Sequence, residues 1–399
     1  MKPLRSMFAL GLVLLFSLAA ETQKAPENAE SQDPVAVAID HLRNLEYDPA
    51  KQQLRDWVGT HPDDLRAQNY LAIATLYQEM FRRGVLEAGV YGQGGDVFKP
   101  NKVPVTPEFQ QQLFSILDNA QGVAEKRLKS DSKDKNAMYW AGISHGTRAT
   151  YHFALRKEYM PALHEASAAY QYHSDLLKLD PGYVDANLVV GMNNYVVGSL
   201  PWYIKALAAL GGRHGDRAEG LQQIKKVTEQ GNYAREDAKL MLAVLYQREK
   251  MYAQALVLYQ DMAASYPRNY LLQFEVATLE GMLKNWNSAA QSYDVMLARH
   301  RAGDAGYENI PLAKVLYQSG QAHEQLQENE TALARYTESA SQPGNDHYVY
   351  LSELAAANLE MRAKRPDAAR LHYQRVAQAL PDSEEGKAAR TALKHLDEN

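Results

Sequence analysis

Four histidines lie close together in the sequence, and their spacing decides whether they could bind a metal ion. They are His145, His152, His164 and His173. On a helix, His145 and His152 would share a face but lie roughly 10 Å apart along the axis, too far apart to bind one ion without further ligands. His164 is followed by Glu165, but the zinc-protease pattern needs a second histidine at position 168, which is Ala. We predict no metal site and interpret these histidines as surface or hydrogen-bonded residues of helices.

Motifs for other kinds of catalysis do not occur in the chain. It has no cysteine and no Gly-x-Ser-x-Gly nucleophile motif, and the glycine-rich stretch 92–96 lacks the Lys-Ser/Thr ending of a phosphate-binding loop. The acidic pairs Asp63–Asp64 and Glu384–Glu385 are predicted to lie in turns, where they favour helix N-termini. We therefore expect a protein that is not an enzyme and that uses no cofactor.

The composition and the charge of the chain exclude further classes of protein. Of the 399 residues, 46% are apolar and 23% are charged, which is typical of an ordered protein and not of a disordered one. The net charge is −5 and basic residues are interspersed with acidic ones, so the chain offers no basic stripe for nucleic acid. The chain is longer than one hydrophobic core usually allows, and an array of repeats escapes that limit.

The first 20 residues have the three regions of a secretory signal peptide. Lys2 and Arg5 precede an apolar run from Met7 to about Leu18, and small residues follow. We expect cleavage near Ala19 or Ala20, a flexible tether over 21–33, and a periplasmic or secreted protein; an uncleaved N-terminal anchor is the alternative. The absence of cysteine leaves no lipid attachment at this site and no disulfide. No later stretch has the unbroken apolar length of a transmembrane helix.

A repeated pair of small and aromatic residues organises the second half of the chain. Alanine comes four residues before tyrosine in four segments, at Ala255 and Tyr259, Ala289 and Tyr293, Ala332 and Tyr336, and Ala369 and Tyr373. Successive alanines are 34, 43 and 37 residues apart. Residues four apart share a helical face, so alanine allows close approach of a paired helix while tyrosine fills the space beside it. Such periods predict stacked pairs of helices.

In these features the chain resembles the tetratricopeptide repeat family. Leu242, Ala243 and Tyr246 match the first helix of that repeat, and Ala255 with Tyr259 matches the second. The resemblance implies an all-α solenoid, a right-handed superhelix of antiparallel helix pairs. It is strongest over 236–395, where we count four clear units, and weaker over 34–235, where divergent repeats carry loop insertions.

The resemblance also implies a partner-binding groove. Residues one, four, eight, eleven and twelve positions after the start of each unit are expected to face it. The residues so predicted are Leu240, Val244, Arg248, Phe274, Thr278, Tyr317, Gln321, Glu324, Asn358 and Arg362. We expect a peptide or protein segment to bind there, although some of these residues could instead pack against the next helix.

Two insertions leave a second function open. The glycine- and proline-rich stretch from Val90 to Pro107 predicts a long loop, and it could serve an envelope protein that handles a small molecule or carbohydrate, even an enzyme. An apolar helix over Leu200 to Leu210 is expected either to pack in the interior or to give peripheral contact with a membrane.

Overall fold

The structure is a computed structural model that describes residues 33–86, 104–200, 215–344 and 346–398. Within these ranges every regular element is helical. The predicted all-α fold is therefore confirmed. The predicted signal peptide, most of the predicted tether, positions 90–103 of the predicted loop and positions 201–210 of the predicted apolar helix lie outside the described residues.

The chain divides into two compact units, Met1–Tyr266 and Pro267–Asn399. The described helices of unit 1 are α1 (Pro34–Arg43), α2 (Tyr47–Thr60), α3 (Leu65–Arg82), α4 (Pro107–Ser130), α5 (Lys135–Thr150), α6 (Tyr159–Leu179), α7 (Asn187–Gly198), α8 (Arg217–Gln230), α9 (Arg235–Arg248) and α10 (Tyr252–Ser265). A π-helical turn, Tyr151–Arg156, follows α5, and a short 3₁₀ turn, Val184–Ala186, precedes α7.

Unit 2 continues the same alternation of helices. Its described helices are α11 (Tyr270–Met282), α12 (Trp286–Ala302), α13 (Leu312–Gln325), α14 (Asn329–Ala340), α15 (His347–Arg362), α16 (Pro366–Ala379) and α17 (Glu384–Glu398). In both units an odd-numbered first helix packs against the even-numbered second helix that follows it, and α17 packs against α16. Paired helices joined by short turns make this a tetratricopeptide-like solenoid.

Short acidic or amide side chains begin many of the helices. Asp33, Asp64, Asp134, Asp216 and Asp346 each accept a hydrogen bond from a backbone N–H in the first turn of the helix that follows. These bonds satisfy donors that have no partner inside the helix. Asp64 belongs to the acidic pair that the sequence placed in a turn.

The turn inside a helix pair contains a residue with left-handed backbone geometry. In the described part of the chain these residues are Leu45, Gly84, Lys157, Lys250, Lys284, Gln327 and Lys364, with φ between 59° and 67°. All but one have a side chain, although only glycine adopts this geometry without a steric cost. The tight turn is therefore kept at the expense of some backbone strain.

The second helices bury the small and aromatic residues that the repeat pattern identified. The four alanines are fully buried and the four tyrosines are at most 6% exposed. The same spacing occurs in unit 1 with other large residues, at Ala50 and Leu54, at Ala169 and His173, and at Gly220 and Ile224, all of them buried. The pattern of a small buried residue followed four positions later by a large buried one therefore extends into the divergent repeats.

The interior of unit 1 is filled by its own first helices. Arg43, at the end of α1, donates from Nη1 to the hydroxyl of Tyr266, 2.6 Å away and 223 residues later. Tyr70 of α3 is fully buried and meets Trp140 of α5 edge-on, with ring centroids 5.9 Å apart. Most residues of α3 and α5 are buried around the whole helix. Unit 1 thus closes on itself, and these two first helices offer little open surface.

A candidate partner-binding face

The ten predicted groove residues are divided between the two units. Leu240, Val244 and Arg248 lie on α9 in unit 1, where they are half-buried, buried and exposed, respectively. The other seven lie on the first helices of unit 2: Phe274 and Thr278 on α11, Tyr317, Gln321 and Glu324 on α13, and Asn358 and Arg362 on α15. We call the surface formed by these seven residues, Lys314 and Tyr348 the first-helix face of unit 2.

Aromatic and cationic contacts join the three first helices of this face. The ammonium group of Lys314 lies over the ring of Phe274, 4.5 Å from its centroid, and 5.8 Å from the centroid of Tyr348. Tyr348 in turn contacts Tyr317, with ring centroids 5.6 Å apart. A cation between two aromatic faces is held by the negative charge density of the rings. These contacts connect α11, α13 and α15 into one surface.

Tyrosine hydroxyls from the second helices hold the polar side chains of the face. Tyr336 donates to Glu324 Oε2 at 2.7 Å, and Tyr373 donates to Asn358 Oδ1 at 2.8 Å. The hydroxyls of Tyr293 and Thr278 lie 3.2 Å apart. The residues that define the repeat pattern therefore also orient groups on the first helices.

Burial and the hydrogen bond to Glu324 together raise the pKa of Tyr336 well above its usual value. The phenol consequently stays protonated and keeps its role as donor at any ordinary pH. Glu324 is left as the acceptor at this point of the face.

The fixed side chains present a mixture of donors and acceptors. Gln321 donates from Nε2 to the hydroxyl of Tyr317 at 2.9 Å, which leaves the amide oxygen of Gln321 to accept. Because Asn358 accepts through Oδ1, its exposed NH₂ group remains available to donate. Alternating amide donors and acceptors match the N–H and C=O groups of an extended peptide backbone.

The charges of the face are largely neutralised from within. Arg362 of α15 pairs with Glu324 of α13, and the arginine side chain is 59% exposed. Met361, next to Arg362, is 39% exposed. The face therefore combines an exposed ion pair, amide groups and an apolar side chain, without a strong excess of either charge.

Lys314 and Tyr348 were not among the predicted groove residues. The third clear unit starts around Ala313, so Lys314 lies one residue after its start, at a position that was expected to face the groove. Tyr348 precedes its unit's start, and its place over Lys314 depends on how neighbouring helix pairs pack. Phe274 was predicted to line the groove, but it is only 6% exposed, so it contributes to the face through its contact with Lys314 and offers almost no surface to a partner.

Three of the four histidines considered for metal binding, His145, His152 and His173, have hydrogen-bond partners. His145 contacts Glu165 at 2.6 Å and Gln121 at 2.7 Å, and His152 contacts Glu158 at 2.8 Å. Burial raises the pKa of Glu165, but the hydrogen bond with His145 and the electrostatic attraction of the neighbouring histidine and arginine side chains together outweigh burial, so the pKa lies below its usual value. Within the described ranges no group of three or more His, Asp or Glu residues could hold a metal ion. In those ranges no helix is both long enough and apolar enough to cross a membrane.

The chain matches no protein-family model and no curated protein sequence. Among solved structures it is similar to yeast Tom70, with 13% identity, 92% of this chain and 89% of the other covered, and a TM-score of 0.35. It is also similar to human IFIT1 bound to m7Gppp-AAAA, with 13% identity, coverage of 91% and 80%, and a TM-score of 0.40. A tetratricopeptide repeat protein from Parabacteroides merdae shows 14% identity, coverage of 82% and 98%, and a TM-score of 0.29. The tetratricopeptide-like fold of the present chain follows from its own helix pairs.

Proposed function

We propose that this protein is a non-catalytic scaffold that binds an extended segment of a partner protein on the first-helix face of unit 2. The proposal includes an exported setting, periplasmic or secreted, because the first 20 residues have the regions of a signal peptide. The observation that carries it is a contrast between first helices. In unit 2 the first helix α15 exposes Asn358, Met361 and Arg362, whereas α3 and α5 of unit 1 are buried almost all round.

The chemistry of the face favours a peptide over a small ligand or a nucleic acid. Gln321 and Asn358 are held by intramolecular hydrogen bonds, so a partner backbone meets groups that are already oriented. Aromatic rings and Met361 supply apolar area for its side chains. Arg362 is paired with Glu324, so besides this pair the face has a single cation, Lys314, which is too few to neutralise a row of phosphates.

Selection from a random dodecapeptide library on the immobilised full chain tests this proposal. Peptides that are enriched should bind the wild type in fluorescence anisotropy, and the variant Tyr317→Ala/Gln321→Ala/Asn358→Ala should bind them at least about tenfold more weakly, because several hydrogen bonds and ring contacts are lost. Circular dichroism verifies that the variant is folded.

A matched control uses the second helices of the same unit. Val295 on α12 and Leu371 on α16 are 45% and 58% exposed, and Val295→Ala/Leu371→Ala should leave peptide affinity unchanged. The proposal fails if no peptide is enriched, or if the control variant loses binding while the face variant keeps it.

A further inference from the structure

A shallow cleft on the outer side of α2 is separate from the first-helix face. It has a volume of about 430 Å³, which is within the usual range of small-ligand sites. Its lining residues are Pro34, Pro49, Gln52, Gln53, Asp56, Trp57 and Thr60. All but Pro34 follow one stripe of α2, and Pro34 begins α1.

The indole ring of Trp57 is fixed in position at this cleft. His61 stacks on it, with ring centroids 3.7 Å apart and an angle of 13° between the planes. Trp57 Nε1 donates to Asp64 Oδ2 at 2.8 Å, while the other oxygen of Asp64 caps α3 through the N–H of Ala67. Trp57 is only half-buried. A rigid, partly open aromatic surface of this kind can bind a ligand with little loss of side-chain entropy.

The polar side chains that line the cleft with Trp57 include both hydrogen-bond donors and acceptors. Gln52 Nε2 donates to both carboxylate oxygens of Asp56, at 3.0 and 3.2 Å, and its amide oxygen remains an acceptor. Gln53 has no hydrogen-bond partner among the described residues, so its whole amide group is available to a ligand. Hydroxyl groups of a ligand, which donate and accept at once, match this set.

The charge of the lining residues limits the classes of ligand that the cleft can bind. The described lining residues include one carboxylate, that of Asp56, and no lysine or arginine, so they would repel a phosphate, sulfate or carboxylate ligand and not neutralise it. The indole N–H is already used by Asp64, so it cannot donate to the carbonyl groups of a proline-rich peptide. A quaternary ammonium ion is usually enclosed by several aromatic rings, and among the described residues that line the cleft only Trp57 is aromatic.

We propose that this cleft, which we call the Trp57 cleft, binds a neutral saccharide. The C–H face of a pyranose ring packs on the indole, whose negative face attracts the partly positive hydrogens. Its hydroxyls donate to Asp56 and Gln52 and accept from Gln53. Because the cleft is shallow and open, the expected Kd for a short oligosaccharide is on the order of 1 mM.

Saturation-transfer difference NMR on the full chain tests the proposal with maltohexaose, cellohexaose and chitohexaose as separate probes. At least one probe should receive saturation from the wild type, strongest at its ring C–H protons. Trp57→Ala should abolish this transfer. Since loss of the indole could disturb the turn before α3, Gln53→Ala/Asp56→Ala provides a second variant that keeps the ring, and it should weaken binding at least about tenfold.

The control variant is Gln260→Ala, an exposed glutamine on α10, and it should bind as the wild type does. Absence of transfer to all three saccharides would overturn the proposal. Equal transfer to the wild type and to Gln53→Ala/Asp56→Ala would also overturn it. Saturation of tetramethylammonium that depends on Trp57, without transfer to a saccharide, would overturn the proposal and assign the cleft to a cationic ligand.

Discussion

A buried histidine takes the place of the repeat tyrosine in the third helix pair. His173 is four residues after Ala169 and fully buried, and its Nδ1 donates to the carbonyl oxygen of Ala169 at 2.8 Å. Its Nε2 atom has no hydrogen-bond partner in the part of the chain that the structure describes. Burial therefore lowers the pKa of His173 to about 4.

This pKa makes the stability of the protein depend on pH. In the unfolded chain a histidine has a pKa of about 6.5. As the pH falls from about 6.5 to 4, the unfolded state binds a proton that the folded state excludes, so the free energy of unfolding should fall by at most about 3 kcal/mol. Urea denaturation of the wild type and His173→Phe across this range measures the effect. The difference between the two proteins should change with pH, and a constant difference would contradict a neutral buried imidazole.

The close approach of helices at His173 depends on glycine. A side chain on Gly142 of α5 would overlap the imidazole ring, whereas Gly122 of α4 faces open space. Gly142→Ala should lower the free energy of unfolding by about 1–3 kcal/mol through overpacking. Gly122→Ala should raise it by up to about 1 kcal/mol, since alanine favours a helix. Chemical denaturation distinguishes the two, and equal effects would show that the contact is unimportant.

At the scale of single residues, the sequence predicted which side chains are buried on some of the second helices. The tyrosines of the C-terminal repeats could be recognised because one residue type recurs at one spacing. In the divergent helix pairs of unit 1 the same position holds Leu54, His173 and Ile224, none of which is a tyrosine. The signal that identifies them is a small residue four positions earlier, whatever the large residue is.

At the scale of elements, the turns within helix pairs carry a cost that can be measured. Lys250, Lys284 and Lys364 occupy left-handed geometry and are exposed. Replacing each with glycine should raise the free energy of unfolding by roughly 0.5–1 kcal/mol, because glycine relieves the steric strain. Lys226→Gly, in the interior of α8, should instead lower it by about 1 kcal/mol. The midpoints of urea denaturation measure the effect of each substitution. If all four variants were less stable than the wild type, the three lysines would not be in strained geometry.

The existence of the helices followed from apolar spacing and turn residues, but the length of α4 and the π-helical turn after α5 did not. The π-helical turn bears Tyr151, whose hydroxyl donates to Gln110 of α4 at 2.8 Å. This contact joins residues 41 positions apart, so a local pattern does not reveal it.

At the scale of the whole molecule, the boundary between the two compact units differs from the position at which the clear repeat pattern begins. The clear repeat pattern begins at 236, yet α9 and α10 belong to unit 1. The hydrogen bond between Arg43 and Tyr266 connects the first pair of this unit to its last. Such long-range contacts are invisible in a repeat alignment, which compares each pair of helices with the next.

The candidate site was predictable to the extent that it follows the repeat. Counting from each unit's start selected Tyr317, Gln321 and Asn358, which the structure places on first helices of unit 2. The ring contacts of Lys314 and the closed interior of unit 1 arise from packing between pairs. This packing between helix pairs determines which part of the array has an open first-helix face.

Site-specific photo-crosslinking tests the central claim, that the first-helix face of unit 2 binds a partner protein. A photoreactive benzoylphenylalanine is placed at Gln321 in one version of the full chain and at Leu371, exposed on α16, in another, and each is irradiated in an envelope extract. We expect a discrete crosslinked protein from position 321 and none from position 371. Crosslinking of the same protein from 371 but not from 321 would contradict it.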